Sequence, residues 1–139
     1  YDLNTDDVEM GACLSPDGNT LFFASDRRGG RGKLDLYWVK KDAGGAWKAA
    51  ENMGSMLNTQ NDENFPSMSP DGKTLYFASK GLLGVGEYDI YSTQYIDTLK
   101  TWTTPRNLGF PINTPMDNTT ISFVNKTTAY ISANRKGRA

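Results

Sequence analysis

Ser15-Pro16-Asp17-Gly18-Asn19-Thr20-Leu21-Phe22-Phe23-Ala24-Ser25 returns, little changed, as Ser69-Pro70-Asp71-Gly72-Lys73-Thr74-Leu75-Tyr76-Phe77-Ala78-Ser79. The offset is 54 residues, from position 15 to position 69. Each copy reads as a turn feeding a strand. Pro presets the first central backbone angle of a turn, and Asp-Gly supplies positions that tolerate left-handed geometry. The uncharged aromatic and aliphatic run that follows suits a strand buried on both faces. Asp17 and Asp71 are expected to hydrogen-bond the turn amides, with metal ligation as the other use of a carboxylate there. Gly18 and Gly72 complete the turn.

The rest of the chain falls into place around these two stretches. The first repeat runs over about 6–60. Glu9 to Leu14 reads as a first strand and Thr20 to Ser25 as the second. A Gly-rich polar loop follows, then Leu34 to Val39 as the third strand, and a fourth strand that begins at Trp47 and reaches about Met53. The second repeat, about 61–115, keeps that order, with strands at Phe65 to Met68, Thr74 to Ser79 and Tyr88 to Ser92. Trp102 stands where Trp47 stood. A third, degraded copy over 116–139 offers Thr120 to Phe123, the shortened turn Val124-Asn125-Lys126, and Thr128 to Ala133. Leu3-Asn4-Thr5, Leu57-Asn58-Thr59 and Ile112-Asn113-Thr114 recur as closing loops.

A four-stranded antiparallel repeat of this length is the unit of a β-propeller. The expected fold is therefore all-β. The whole of 1–139 forms a partial β-propeller of about two and a half blades: 6–60, 61–115 and the half blade 116–139. Closed propellers generally have at least four blades. The chain is accordingly expected to be a piece of a longer protein, or to be completed into a ring by other chains.

Composition narrows the function. The 139 residues carry 15 basic and 16 acidic side chains. Without a basic excess, nucleic acid is not an expected partner. No apolar run is long enough to span a bilayer as a helix. His is absent and Cys13 is the single cysteine, which removes the commonest general base and any Cys-rich zinc site. No Gly-x-Ser-x-Gly elbow appears. The chain is read as no enzyme, with no cofactor.

The candidate residues follow from what repeats and what does not. Asp35 and Asp89 lie 54 apart inside strands flanked by aromatics. A buried carboxylate must be hydrogen-bonded, so each is expected to hold a neighbouring loop. Trp47 and Trp102 recur, which argues for packing. Glu9, Glu63 and Asp117 recur ahead of each first strand and are the candidate cation ligands of a central channel. Arg27, Arg28 and Arg31, echoed by Arg135, Lys136 and Arg138, form a basic patch suited to an acidic partner. Trp38 does not recur, because its counterpart is Ser92. It is therefore a candidate contact residue.

Ser-Pro-Asp-Gly-Lys-Thr-Leu-Tyr-Phe-Ala-Ser at 69–79, Glu87-Tyr88-Asp89-Ile90-Tyr91, and the stretch from Trp102 through Thr114 together resemble the WD-like propeller repeat of TolB-like envelope proteins. The Asn-Leu-Gly…Ile-Asn-Thr tail is most similar to the propellers of Bacteroidetes outer-membrane lipoproteins that carry OmpA-like domains. The resemblance implies a non-catalytic protein-interaction scaffold of the bacterial envelope, in the periplasm or at the outer membrane. It implies protein partners there, an association with type IX secretion, and peptidoglycan contact through domains outside this chain. Two alternatives stand beside it. One is a propeller that binds glycan or cell-wall fragments, with aromatics clustered around one groove and acidic or amide groups between them. The other is the gating propeller of a prolyl-oligopeptidase-type serine peptidase.

Overall fold

The computed structural model describes residues 3–134. Every regular element among them is a β-strand, and every strand pairing is antiparallel. Strands β1 (Glu9–Leu14), β2 (Thr20–Ser25), β3 (Asp35–Lys40) and β4 (Glu51–Asn52) form a first four-stranded sheet in chain order. Strands β5 (Glu63–Met68), β6 (Leu75–Ser79) and β7 (Asp89–Thr93) repeat the pattern. A small hairpin, β8 (Tyr95–Ile96) with β9 (Thr101–Trp102), then intervenes before β10 (Arg106–Asn107) returns to pair with β7. Finally β11 (Asn118–Phe123) and β12 (Ala129–Ala133) make a two-stranded sheet.

The turns form as their residues dictate. Gly18 N–H donates to the Ser15 carbonyl at 2.9 Å, and Gly72 N–H to that of Ser69 at 2.9 Å. The Ser15 hydroxyl donates to Asp17 Oδ1 at 2.6 Å, and that same oxygen accepts the Asn19 N–H at 3.0 Å. Ser69, Asp71 and Lys73 reproduce this at 2.6 and 3.1 Å. In the third copy Asn125 serves instead, accepting the N–H groups of Thr127 and Thr128. An amide oxygen thus replaces the carboxylate, and the strand order survives without Pro-Asp-Gly.

Several expected boundaries move by one or two residues, and that of the first repeat's fourth strand moves further. The fourth strand of the first sheet is Glu51–Asn52 and does not begin at Trp47. Asp42 closes a turn ahead of it by accepting the N–H groups of Gly44 and Ala46. Trp47 therefore sits at the base of a loop, bridged to Lys41. Trp102 bridges Tyr95 in the same manner within β8–β9.

The sheets stack face to face. β5 lies across β1, β2 and β3, and β11 lies across β5, β6 and β7. Adjacent phenylalanines explain why the strands lack polar alternation. Phe22 points with Ala24, Leu36 and Trp38 into a core shared with Leu75, Phe77 and Tyr91 of the second sheet and Trp102 of the β8–β9 hairpin. Phe23 points the other way, with Tyr37 and Val39, under Leu3, Leu21, Trp47 and Ala50. Burying each large side chain stabilises the fold by roughly 1.5–3 kcal/mol. Each first strand also carries an irregularity of register, at 10–12 in β1 and at 64–67 in β5. Gly11 there has φ +42°, and a Cβ on it would stand 2.6 Å from Asn64 Oδ1. Only glycine lets β5 approach β1 so closely.

Candidate functional site

The recurrent polar residues bind the chain's own backbone. Thr59 donates its N–H and its hydroxyl to the two oxygens of Glu63, each at 2.7 Å, and the Ser79 hydroxyl adds a third bond at 2.7 Å. Thr5 and Glu9 make the same latch at 3.1 and 2.7 Å. The third latch joins Thr114 to Asn118, whose Oδ1 accepts the Thr114 hydroxyl at 3.3 Å. Asn118, not Asp117, is thus the positional equivalent of Glu9 and Glu63. Asp117 instead accepts the Tyr88 N–H at 3.1 Å, as Asp62 accepts that of Leu34 at 3.2 Å. Glu9 and Glu63 thus serve their own loops, and Asp117 holds the start of β7 at Tyr88. Among the described residues no three acidic or cysteine side chains converge on one point.

The two glutamate latches are shifted in opposite directions. Burial raises the Glu9 carboxyl, but donors from Thr5, Ser25 and Arg27 outweigh it and hold Glu9 below its ordinary value. Arg27 lies 3.0 Å from Glu9. The second repeat has Gly81 where the first has Arg27. Glu63 is fully buried, and that burial pushes its carboxyl up despite its bonds from Thr59 and Ser79.

Asp35 and Asp89 hold loops, as expected. Asp35 accepts the N–H groups of Arg31 and Gly32 and the side-chain amide of Asn52. Asp89 accepts those of Val85, Gly86 and Asn107. These bonds fold the Gly-rich loops back on the strands. Gly32 and Gly86 then press against backbone carbonyls of the next closing segment, where a Cβ would lie 2.1 Å from Asn61 O and 2.6 Å from Met116 O.

The expected basic patch divides. Arg27 is drawn inward, donating to the Leu3 carbonyl and Glu9 and lying over the Phe23 and Tyr37 rings at 4.8 and 5.1 Å. Arg28 and Arg31 remain exposed. Arg135, Lys136 and Arg138 lie outside the described residues. Trp38 is also placed differently from the open contact surface expected of it. It is only 9% exposed, because its ring meets Phe22, Trp102 and Tyr95 between the sheets.

That aromatic group walls two concavities. Trp38, Tyr95 and Trp102 have mutual centroid distances of 4.9, 5.2 and 5.3 Å. Two clefts, of about 620 and 610 Å³, flank the group and share all three residues as walls. The larger is rimmed by Asp17, Asp71, Gln94 and Asp97. The Lys40 ammonium lies 3.7 Å from the Trp38 ring centroid and 5.1 Å from that of Tyr95. Burial lowers its pKa, against the pull of Glu51 and Asp97. Aromatic faces attract cations, and carboxylates and an amide can bind hydroxyl or N–H groups.

Tyr95, Lys40 and Asp97 escaped the sequence reading. A signal for Tyr95 existed, since its counterpart in the first repeat is Lys41. Both departures from the repeat, Trp38 for Ser92 and Tyr95 for Lys41, are toward aromatics, and the two meet in one cleft.

Comparison of the chain with protein-family models and with curated proteins finds no match.

Proposed function

We propose that this chain is part of a non-catalytic β-propeller that serves as a protein-interaction scaffold in the bacterial cell envelope. The observation that carries this reading is the fate of the repeated polar groups. Glu9, Glu63, Asp35, Asp89, Asp17 and Asp71 all accept hydrogen bonds from neighbouring loop or turn groups. The repeat chemistry thus maintains sheets and loops, and the surface left for function is shape and non-repeated side chains. Envelope location, and an OmpA-like or type IX secretion context, are supported by the resemblance of the repeat alone.

The partner surface in this reading is the Trp38–Tyr95–Trp102 cleft. Its test is a photo-cross-linking phenylalanine analogue placed at Tyr95 in intact cells, with the exposed, distant Leu83 as control. The scaffold reading expects a discrete protein adduct from position 95 and none from position 83. Adducts of equal yield from both positions would remove the cleft as a partner surface.

A second reading, binding of glycan or cell-wall fragments, is favoured by the same cleft. Aromatics cluster there, with acidic and amide groups on the rim of the larger cleft. Tryptophan fluorescence titrated with soluble peptidoglycan fragments separates the two. Saturable quenching without a protein adduct would replace the scaffold with a glycan-binding propeller.

A further inference from the structure

Trp38 and Lys40 depart from the repeat together. The second repeat has Ser92 and Gln94 at these positions, 54 residues on in each case, so its sheet forms without either side chain. Residues two apart on a strand share a face. On β3 that alternation brings the Lys40 ammonium to 3.7 Å from the Trp38 ring centroid. The β8–β9 hairpin brings the Tyr95 centroid to 5.1 Å from the same ammonium. A cation within about 6 Å of a ring centroid is attracted to that ring. Two rings therefore define a place for one cation.

Lys40 holds that place on a flexible stem. It is exposed, whereas Trp38 beneath it is buried. Five charged side chains line the larger cleft: Asp17, Lys40, Asp71, Lys73 and Asp97. Among the described residues none of the five forms an ion pair. Asp17 and Asp71 each use Oδ1 to close their own turn. Asp97 is exposed on the hairpin, near enough to Lys40 to act on it electrostatically. The cleft thus combines ring faces covered by a movable ammonium with carboxylates that no cation of the chain pairs with. A guanidinium suits that combination better than an ammonium does. It is planar and more weakly hydrated, it stacks on aromatic faces, and its fork of N–H donors matches a carboxylate.

We infer that the cleft takes an arginine side chain of its protein partner. The incoming guanidinium displaces the Lys40 ammonium from the Trp38 and Tyr95 rings and donates to the Asp97 carboxylate, while the Lys40 stem swings out to solvent. The occupant is a protein segment that presents an exposed arginine. Such an occupant rests on the reading of the cleft as a partner surface and supplies the chemistry which that surface recognises.

The indole N–H signals of the nitrogen-labelled chain, titrated with acetyl-Gly-Arg-Gly-amide, provide the test. The Trp38 and Trp102 signals should move saturably at millimolar peptide. Trp47 packs on the opposite face beside Phe23, and its signal should stay in place. The same peptide with citrulline, close in shape but uncharged, should move none of the three. Lys40→Gln removes the competing ammonium and should tighten binding about two- to five-fold. Asp97→Asn should weaken it. Both side chains are exposed, so both variants should keep the parent's far-UV spectrum and cooperative unfolding. Trp38 and Trp102 signals that do not move saturably, or that respond equally to citrulline, would overturn the inference. So would an affinity that Lys40→Gln fails to raise or that is indifferent to Asp97→Asn. Failure here beside a discrete adduct at position 95 strikes the arginine and leaves the scaffold reading standing. A full response here without an adduct supports the guanidinium site and strikes the scaffold's use of the cleft.

Discussion

The Asn58 side chain grips both backbone groups of Leu36. Its Oδ1 accepts the Leu36 N–H at 2.7 Å and its amide donates to the Leu36 carbonyl at 2.9 Å. The side chain thereby extends the sheet where β4 has ended. Asn113 does the same to Ile90, at 2.8 Å in both directions. Both asparagines are buried. Replacing Asn58 with Ala leaves the buried Leu36 N–H without an acceptor, while the Leu36 carbonyl keeps the Met53 N–H. The expected loss is about 2–3 kcal/mol, read from urea unfolding with an unchanged slope. A loss within experimental error would mean that water replaces the amide freely.

Glu63 should make stability depend on pH in an unusual direction. Burial raises its carboxyl in the folded chain above its value in the unfolded one. Its contribution is then complete below the ordinary carboxylate value and is lost as pH rises through the lifted one. Glu9 is held low and acts oppositely, its contribution fading as pH falls. Glu63→Gln should abolish the decline on the rising side and leave the acid side in place. Asn118, a natural neutral occupant of this position, shows that an amide fits the latch. Urea midpoints measured from acid to neutral pH decide it, and parallel profiles for parent and variant would refute the assignment.

Trp102 ties the β8–β9 hairpin to the first sheet through Phe22 and Trp38, at centroid distances of 6.1 and 5.3 Å. It is buried in the shared core. Trp102→Ala should cost roughly 3–5 kcal/mol, in the range of other large-to-small core substitutions. Equilibrium unfolding followed by circular dichroism gives the figure. A cost below about 1 kcal/mol would place the ring outside a packed core.

Cys13 lies on the strand that β5 covers, and burial pushes its thiol up to about 12. The reactive thiolate is therefore scarce at mildly alkaline pH. Iodoacetamide should modify Cys13 slowly in the folded chain and quickly once urea unfolds it. Equal rates in the two states would show that the thiol is open to solvent.

The polar framework was legible because each part is local. Ser15 to Thr20 closes on itself, and Asp35 reaches loop amides three and four residues away. A cyclic contact of that span leaves its mark in residue order. The Glu9–Glu63–Asp117 register failed for a related reason. Reading by charge selected Asp117, whereas the latch depends on a spacing of four from the threonine, and that spacing selects Asn118. Trp38 was recognised as an exception to the repeat, yet its burial depends on Tyr95 and Trp102, 57 and 64 residues further along the chain.

Read alone, the sequence determined the all-β class, the turns, the repeat period and the loop-holding roles of Asp35 and Asp89, because these follow from short-range hydrogen bonding and backbone preference. Tertiary structure decided which aromatic faces meet, where Arg27 and Trp38 point, and why Glu63 and Glu9 differ in charge preference. Those outcomes depend on how closely one sheet approaches the next and on which water is excluded between them. Such distances arise only when segments half the chain apart are packed together.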